Sequence, residues 1–255
     1  MIAALTTLSL CTIAAAQHRG DIVLDIDATP SPHIRTNQFD LNGVVTPDVR
    51  VFGATLGVAF PNFTDSPGFD SLPGTFPFPS SNGFRIRKAL RLWNGTDFHI
   101  IPDEQMEIAF GPLGPVVTPA TDQIVTGFLL SVGSNGQWHR HLEYTLGDPA
   151  DAGVYLLELD LFSSAAAIGP SDPFWLVFNQ NSAAADADAA EQWVHDHYVA
   201  PSCAADWNGD GTANSQDFFD FLTGFFAQNA DFNADGVTNS QDFFDFLSAF
   251  FTGCP

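Results

Sequence analysis

Apolar residues in the first two hundred positions fall in short runs of β character, broken by clusters of Gly, Pro, Asn and Asp. Such runs, rich in Val, Ile, Phe, Tyr and Trp, read as strands. Eight candidates stand out, at 21–27, 50–59, 84–93, 106–110, 124–132, 138–146, 154–162 and 174–178. Their regular spacing, with little helical pattern between, predicts a mainly β fold, an antiparallel β-sandwich over residues 17–200. Asn135-Gly136 marks a hairpin turn between two of the runs. One helix closes this region: Ser182 as its cap, then 183–197, with Asp186 and Asp188 toward its positive end and Trp193 and Val194 turned onto the sandwich. Past residue 200 the period changes. Phe218, Phe221, Leu222 and Phe225 follow helical spacing, as do Phe243, Phe246, Leu247 and Phe250. Two such stripes can face one another in a small α module over 201–255, joined to the β region by the short link Val199-Ala200-Pro201-Ser202. Phe219, Phe226, Phe244 and Phe251 are left over, and exposed apolar clusters of this kind mark partner surfaces.

The α module is an internal repeat. Residues 206–222 recur as 231–247, and both copies end in Asn-Ser-Gln-Asp-Phe-Phe-Asp-Phe-Leu. In each copy oxygen side chains fall at loop positions 1, 3, 5, 9 and 12, with Gly at 6, which is the spacing that wraps a calcium ion. In the first loop Asp206, Asn208 and Asp210 alternate inward, Gly211 permits the sharp turn, Thr212 offers its backbone carbonyl, Asn214 acts directly or through water, and Asp217 closes the shell. Asp231, Asn233, Asp235, Gly236, Val237, Asn239 and Asp242 take the same places in the second. Three carboxylates about 5 Å apart repel by roughly 2–3 kcal/mol even at the dielectric of water. A module of this size has a total stability of only about 3–5 kcal/mol. Two calcium ions are therefore expected to be structural.

A loop followed by a single helix, ended by Asp and duplicated over about fifty residues, resembles a type I dockerin. That resemblance implies a calcium-folded module that attaches a secreted protein, often a polysaccharide-degrading enzyme, to a cohesin domain. It also implies partner contacts at loop positions 10 and 11, here Ser215 and Gln216, and Ser240 and Gln241, whose identity in the two halves suits docking either way round. The chain departs from the family at Ala213 and Thr238, where a bulky aliphatic is favoured, in its many Phe residues, and in a Cys placed at each end of the module. With its terminal Gly253-Cys254, the module looks like the C-terminal anchors of planctomycete-like bacterial secreted proteins.

Charge sharpens this reading. The chain of 255 residues carries a formal net charge of -22, and no Lys or Arg follows Arg140. Such a surface repels phosphate backbones and anionic membranes, so nucleic acid is excluded as a partner class and cations are favoured. The same acidity fits a protein working in salty water. The start, from Met1 to Ala16, is a short apolar run ending in Ala14-Ala15-Ala16, the pattern of a signal peptide removed before Gln17. It is too short to span a bilayer, and no later run is long and apolar enough. Export to the bacterial surface or exterior follows. Loss of Cys11 with the leader leaves Cys203 and Cys254 as an even pair in an oxidising compartment. A disulfide between them would close a loop of about fifty residues and contribute roughly 4 kcal/mol in the chain-entropy model.

Chemistry in the β region is sparser. His139 and His141 flank Arg140, so period two puts both imidazoles on one strand face with Glu143 beside them, and Asp25 and Asp27 share a face near the mature N-terminus. Together these are weak candidates for a metal site; a solvated strand face is the commoner meaning of His-x-His. His195 and His197 diverge on the predicted helix. Glu104, Glu107, Glu143 and Glu158 are the carboxylates from which a glycosidase pair would be drawn. No catalytic residue is assigned. Two functions follow: a non-catalytic β-sandwich docked into a surface or extracellular assembly through a cohesin-like or other surface protein, or a polysaccharide-binding or glycoside-hydrolysing protein carrying the same tail.

Overall fold

A computed structural model describes residues 20–28, 31–39, 44–199, 204–208, 213–233 and 236–253. The signal segment, Cys203, Cys254, Asp210, Gly211, Thr212 and Asp235 lie outside the described residues. The strands are, in order, β1 (Ile22–Asp27), β2 (His33–Phe39), β3 (Val45–Thr46), β4 (Val51–Thr55), β5 (Phe63–Thr64), β6 (Phe69–Ser71) and β7 (Ser81–Ile86). They continue as β8 (Arg91–Leu92), β9 (Met106–Phe110), β10 (Leu113–Val117), β11 (Val125–Ser131), β12 (Glu143–Leu146), β13 (Gly153–Ser163) and β14 (Phe174–Gln180). Three helices follow: α1 (Ala184–Val194), continued by a π-helical turn over His195–Val199, then α2 (Ser215–Phe226) and α3 (Ser240–Thr252).

The strands form a six-stranded sheet, ordered β11-β7-β13-β14-β4 with β8 also pairing with β13, and two four-stranded sheets, β3-β2-β1-β6 and β10-β9-β12-β5. β13 and β14 explain the layering. Tyr155, Leu157, Leu159 and Leu161, with Phe174, Leu176 and Phe178, turn one face of the large sheet into a core shared with Ile22 and Leu24 of β1 and Met106 and Ile108 of β9. Val154, Leu156, Trp175 and Val177 turn to the opposite face, where Ala190 and Val194 of α1 cover them. Burial on both faces is why residues 154–157 of β13 and 174–178 of β14 read as unbroken apolar runs. Farther along β13 the helix-side face carries Asp160 and Glu158. Arg85 and Arg87 grip Asp160 at 2.6–3.0 Å, and Arg87 and Lys88 reach Glu158 at 3.1 and 3.0 Å.

The architecture is mainly β, as the pattern implied, but not purely antiparallel: β1 runs parallel to β6, and β4 parallel to β14. The predicted strand at 84–93 is two, β7 and β8. That at 50–59 stops at Thr55. Of 138–146 only β12 is strand, and the preceding stretch contributes a single bridge, Phe69 to Arg140. β2 escaped the apolar pattern because His33-Ile-Arg-Thr-Asn-Gln-Phe is mostly polar. Arg35 instead pins it to β1, donating to Asp25 at 2.7 and 2.9 Å and to Asp27 at 3.0 Å. Gly136 adopts φ +79° in the expected turn, but the chain beyond it crosses to β6 instead of pairing back along β11. α1 starts one residue later than predicted, and Ser182 does not cap it; the Ser182 hydroxyl bonds to Asp186 at 3.2 Å.

α2 and α3 lie antiparallel, because Phe218 at the start of one meets Phe250 at the end of the other, and Phe225 meets Phe243. Phe221 and Phe246 stack at their centre, 4.0 Å apart and within 1° of parallel, roofed by Trp207 and Phe232. Phe219, Phe226, Phe244 and Phe251 stay exposed.

Candidate functional site

In the C-terminal module each loop is closed by a fully buried aspartate. Asp217 accepts backbone N–H bonds from Asn208 at 3.0 Å and Asn214 at 2.9 Å. Asp242 accepts them from Phe232, Asn233 and Asn239 at 2.7–3.2 Å. For Asp217 burial works upward, but the N–H groups of Asn208, Asn214 and Trp207 outweigh it and hold the carboxyl below its usual range. Asp242 is held below that range by the N–H of Asn239 first, against burial, with Asn233 and Phe232 adding to the effect. Asn214 and Asn239 are also the helix caps: their side chains accept from Gln216 and Gln241, and with Asp217 and Asp242 they complete two capping boxes. The Asn-x-x-Asp spacing was legible in the sequence and signals this second duty of positions 9 and 12.

The described loop residues offer oxygen donors, the kind calcium takes. In the second loop the position-6 N–H of Gly236 donates to the position-1 carboxylate of Asp231 at 2.7 Å. Asp206 and Asn208 open the first loop, and Asn233 sits two residues past Asp231 in the second. Val237 and Asn239 follow the Gly236 turn. Ser215, Gln216, Ser240 and Gln241 are all exposed in the first turns of α2 and α3. Gln216 and Gln241 each donate to the aspartate four residues on, Asp220 and Asp245, at 2.9 and 2.8 Å.

In the β region three backbones run side by side: the start of β1, β6, and the segment 139–141. Ile22 registers with Phe69, and Phe69 exchanges both backbone bonds with Arg140. His139 and His141 therefore share a face, their rings 5.3 Å apart, as period two requires. Their carboxylate neighbours are not those the sequence suggested. Asp25 and Asp27 are held by Arg35, and Glu143 accepts from the Gly111 N–H at 3.4 Å. Asp21 and Asp70 stand there instead: His141 Nε2 is 3.5 Å from Asp21 Oδ2, and His139 Nδ1 is 3.6 Å from Asp70 Oδ1. Nothing local in the sequence joins Asp21 to His141; only the parallel β1–β6 pairing does.

Two of the remaining candidate glutamates are engaged within the β region. Glu104 is buried and accepts from the Tyr155 hydroxyl and the Asp151 N–H, both at 3.1 Å, and Glu158 serves the arginine cluster. Glu107 lies in the β9–β12 ladder opposite Thr145. His197 stacks on Trp193 while His195 faces Asp196. A cleft of about 540 Å³ lies between α1 and the β4–β5 region, lined in part by Asp21, Asp65, Asp188 and Glu191. Burial first, then Asp188, pushes the Glu191 carboxyl up. Among the described residues no helix is long and apolar enough to cross a membrane. Neither the protein-family models nor the curated proteins contain a match to this chain.

Proposed function

We propose that this is a secreted calcium-binding protein whose dockerin-like tail docks a non-catalytic β-rich body into a cell-surface or extracellular assembly. The observation that carries the reading is the duplicated loop-and-helix unit. Two loops with the same oxygen spacing are each closed by a buried aspartate, and two helices meet on a shared phenylalanine stack. The cost of gathering carboxylates in each loop is offset by a divalent cation. Exposed Ser215, Gln216, Ser240 and Gln241, with Phe219 and Phe244 one turn on, give a matched pair of faces suited to a cohesin-like or other surface protein. Calorimetric titration of the full chain with Ca²⁺ tests this: two equivalents are expected, lost in Asp217→Ala plus Asp242→Ala. An absence of binding heat in the unaltered chain refutes it.

The acidic cleft supports a second reading, a carbohydrate-active body on the same tail, since a carboxyl raised by its surroundings is the raw material of a general acid. Among the described residues no Trp lines the cleft to stack on a sugar ring, whereas Trp138 and Trp175 are buried. The docking reading therefore leads. Soluble-sugar release from insoluble polysaccharides, abolished by Glu191→Gln, would reverse that order.

A further inference from the structure

We infer that Asp21, His139 and His141 form a binding site for a first-row divalent transition metal, with Zn²⁺ the best fit, separate from the calcium loops. One ligating atom of each lies within 4.8 Å of the other two. Asp21 is 4% exposed: its Oδ1 accepts the Gly68 N–H at 3.1 Å, and its buried Oδ2 accepts no hydrogen bond at all. A buried carboxylate oxygen left this way is costly unless a cation meets it. Facing it is His141. The Nδ1 of that ring is 2.9 Å from the Asp65 carbonyl oxygen, which can only accept, so Nδ1 carries a proton, and Nε2, 3.5 Å from Asp21 Oδ2, is the ring atom placed to meet a metal. A metal ion between Nε2 and Oδ2 takes one ligand from each. The carbonyl behind Nδ1 is the outer partner that metal-bound imidazoles use to fix their tautomer.

The backbone is built for this approach. Asp21, Gly68 and His141 sit in one row across three adjacent chains, and the His141 ring crosses over the middle one. A Cβ at residue 68 would lie 2.6 Å from that ring, so only glycine lets the imidazole reach Asp21. A second nearly buried carboxylate, Asp70, lies behind His139 and also keeps an oxygen without a hydrogen bond. Two imidazoles with one carboxylate suit Zn²⁺ and its first-row neighbours, and do not suit Ca²⁺, which takes oxygen ligands.

The test is Zn²⁺ uptake by the full chain, with Ca²⁺ saturating so that the tail is occupied. One tightly bound Zn²⁺ is expected. Asp21→Asn, His141→Gln and Gly68→Ala should each weaken it by at least about 10–100-fold, with Ca²⁺ stoichiometry unchanged. Unaltered Zn²⁺ affinity in the Asp21→Asn/His141→Gln pair overturns the assignment, as does absence of Zn²⁺ binding to the unaltered chain, which would leave a proton as the bridging charge. Should the variants misfold, Co²⁺ added to the unaltered chain decides the matter. Visible d–d bands abolished by Zn²⁺ but not by Ca²⁺ support the site, and their absence overturns it. Because the Ca²⁺ and Zn²⁺ results are read separately, this site can fail while the docking proposal stands, and the reverse.

Discussion

Replacing Phe246 by Ala removes half of the tightest ring contact in the C-terminal module. The Phe246 ring is fully buried, lies 4.0 Å from Phe221 and also meets Trp207, Phe218, Phe232 and Phe250. A buried Phe→Ala change costs about 3–5 kcal/mol, and loss of the aromatic pairing adds about 0.5–1.5 kcal/mol. A module of this length rarely has more than about 3–5 kcal/mol in total. In chelator, Phe246→Ala should therefore leave α2 and α3 unfolded while the β body, whose core cluster shares no residue with this one, is unaffected. Hydrogen exchange read by mass spectrometry resolves the two: peptides over 213–253 should exchange as open chain, and those over β13 and β14 stay protected. Calcium at about a thousandfold excess over its Kd adds about 4.1 kcal/mol, so it should restore most of the lost protection. Phe226→Ala and Phe251→Ala, at positions 78% and 81% exposed, should shift it by less than about 0.5 kcal/mol. Protection of α2 and α3 in Phe246→Ala within about 1 kcal/mol of the unaltered chain would refute the claim that this stack holds the module together.

Three further outcomes are expected. Asp160→Ala strands Arg85 and Arg87 without their buried partner and should cost about 3–5 kcal/mol, read as a lower urea midpoint of the body at unchanged m-value. Glu191→Gln should raise the melting temperature of the body at pH 7 and leave it unchanged at pH 4. Because folding raises this carboxyl above its ordinary value, the unfolded chain ionises first and stability is lost as pH climbs through the gap; equal effects at both pH values would contradict this. Asp217 and Asp242 behave oppositely. Their folded values are depressed, so their contribution is present above the ordinary carboxyl range and lost as pH falls through the folded values. The calcium-free tail should then melt as acid is added below about pH 4, followed by hydrogen exchange of α2 and α3.

What the sequence determined by itself is what short-range chemistry decides. The stripes through Phe221 and Phe246 act within a dozen or so residues, so their spacing alone locates both helices, while the caps Asn214 and Asn239 set where each begins. β14 and the first half of β13 were equally legible, because burial on both faces demands a continuous apolar run. His139 and His141 on one face followed from the two-residue period of extended chain. The tertiary structure decided the rest. β2 is a strand through Arg35 and its ladder with β1, not through an apolar pattern, and 138–142 is drawn to β6 by a single bridge. The partners of the two histidines, Asp21 and Asp70, arrive through a parallel pairing of distant segments. Side-chain period fixes which way a residue faces; which backbone lies beside it depends on long-range register, and no local pattern encodes that.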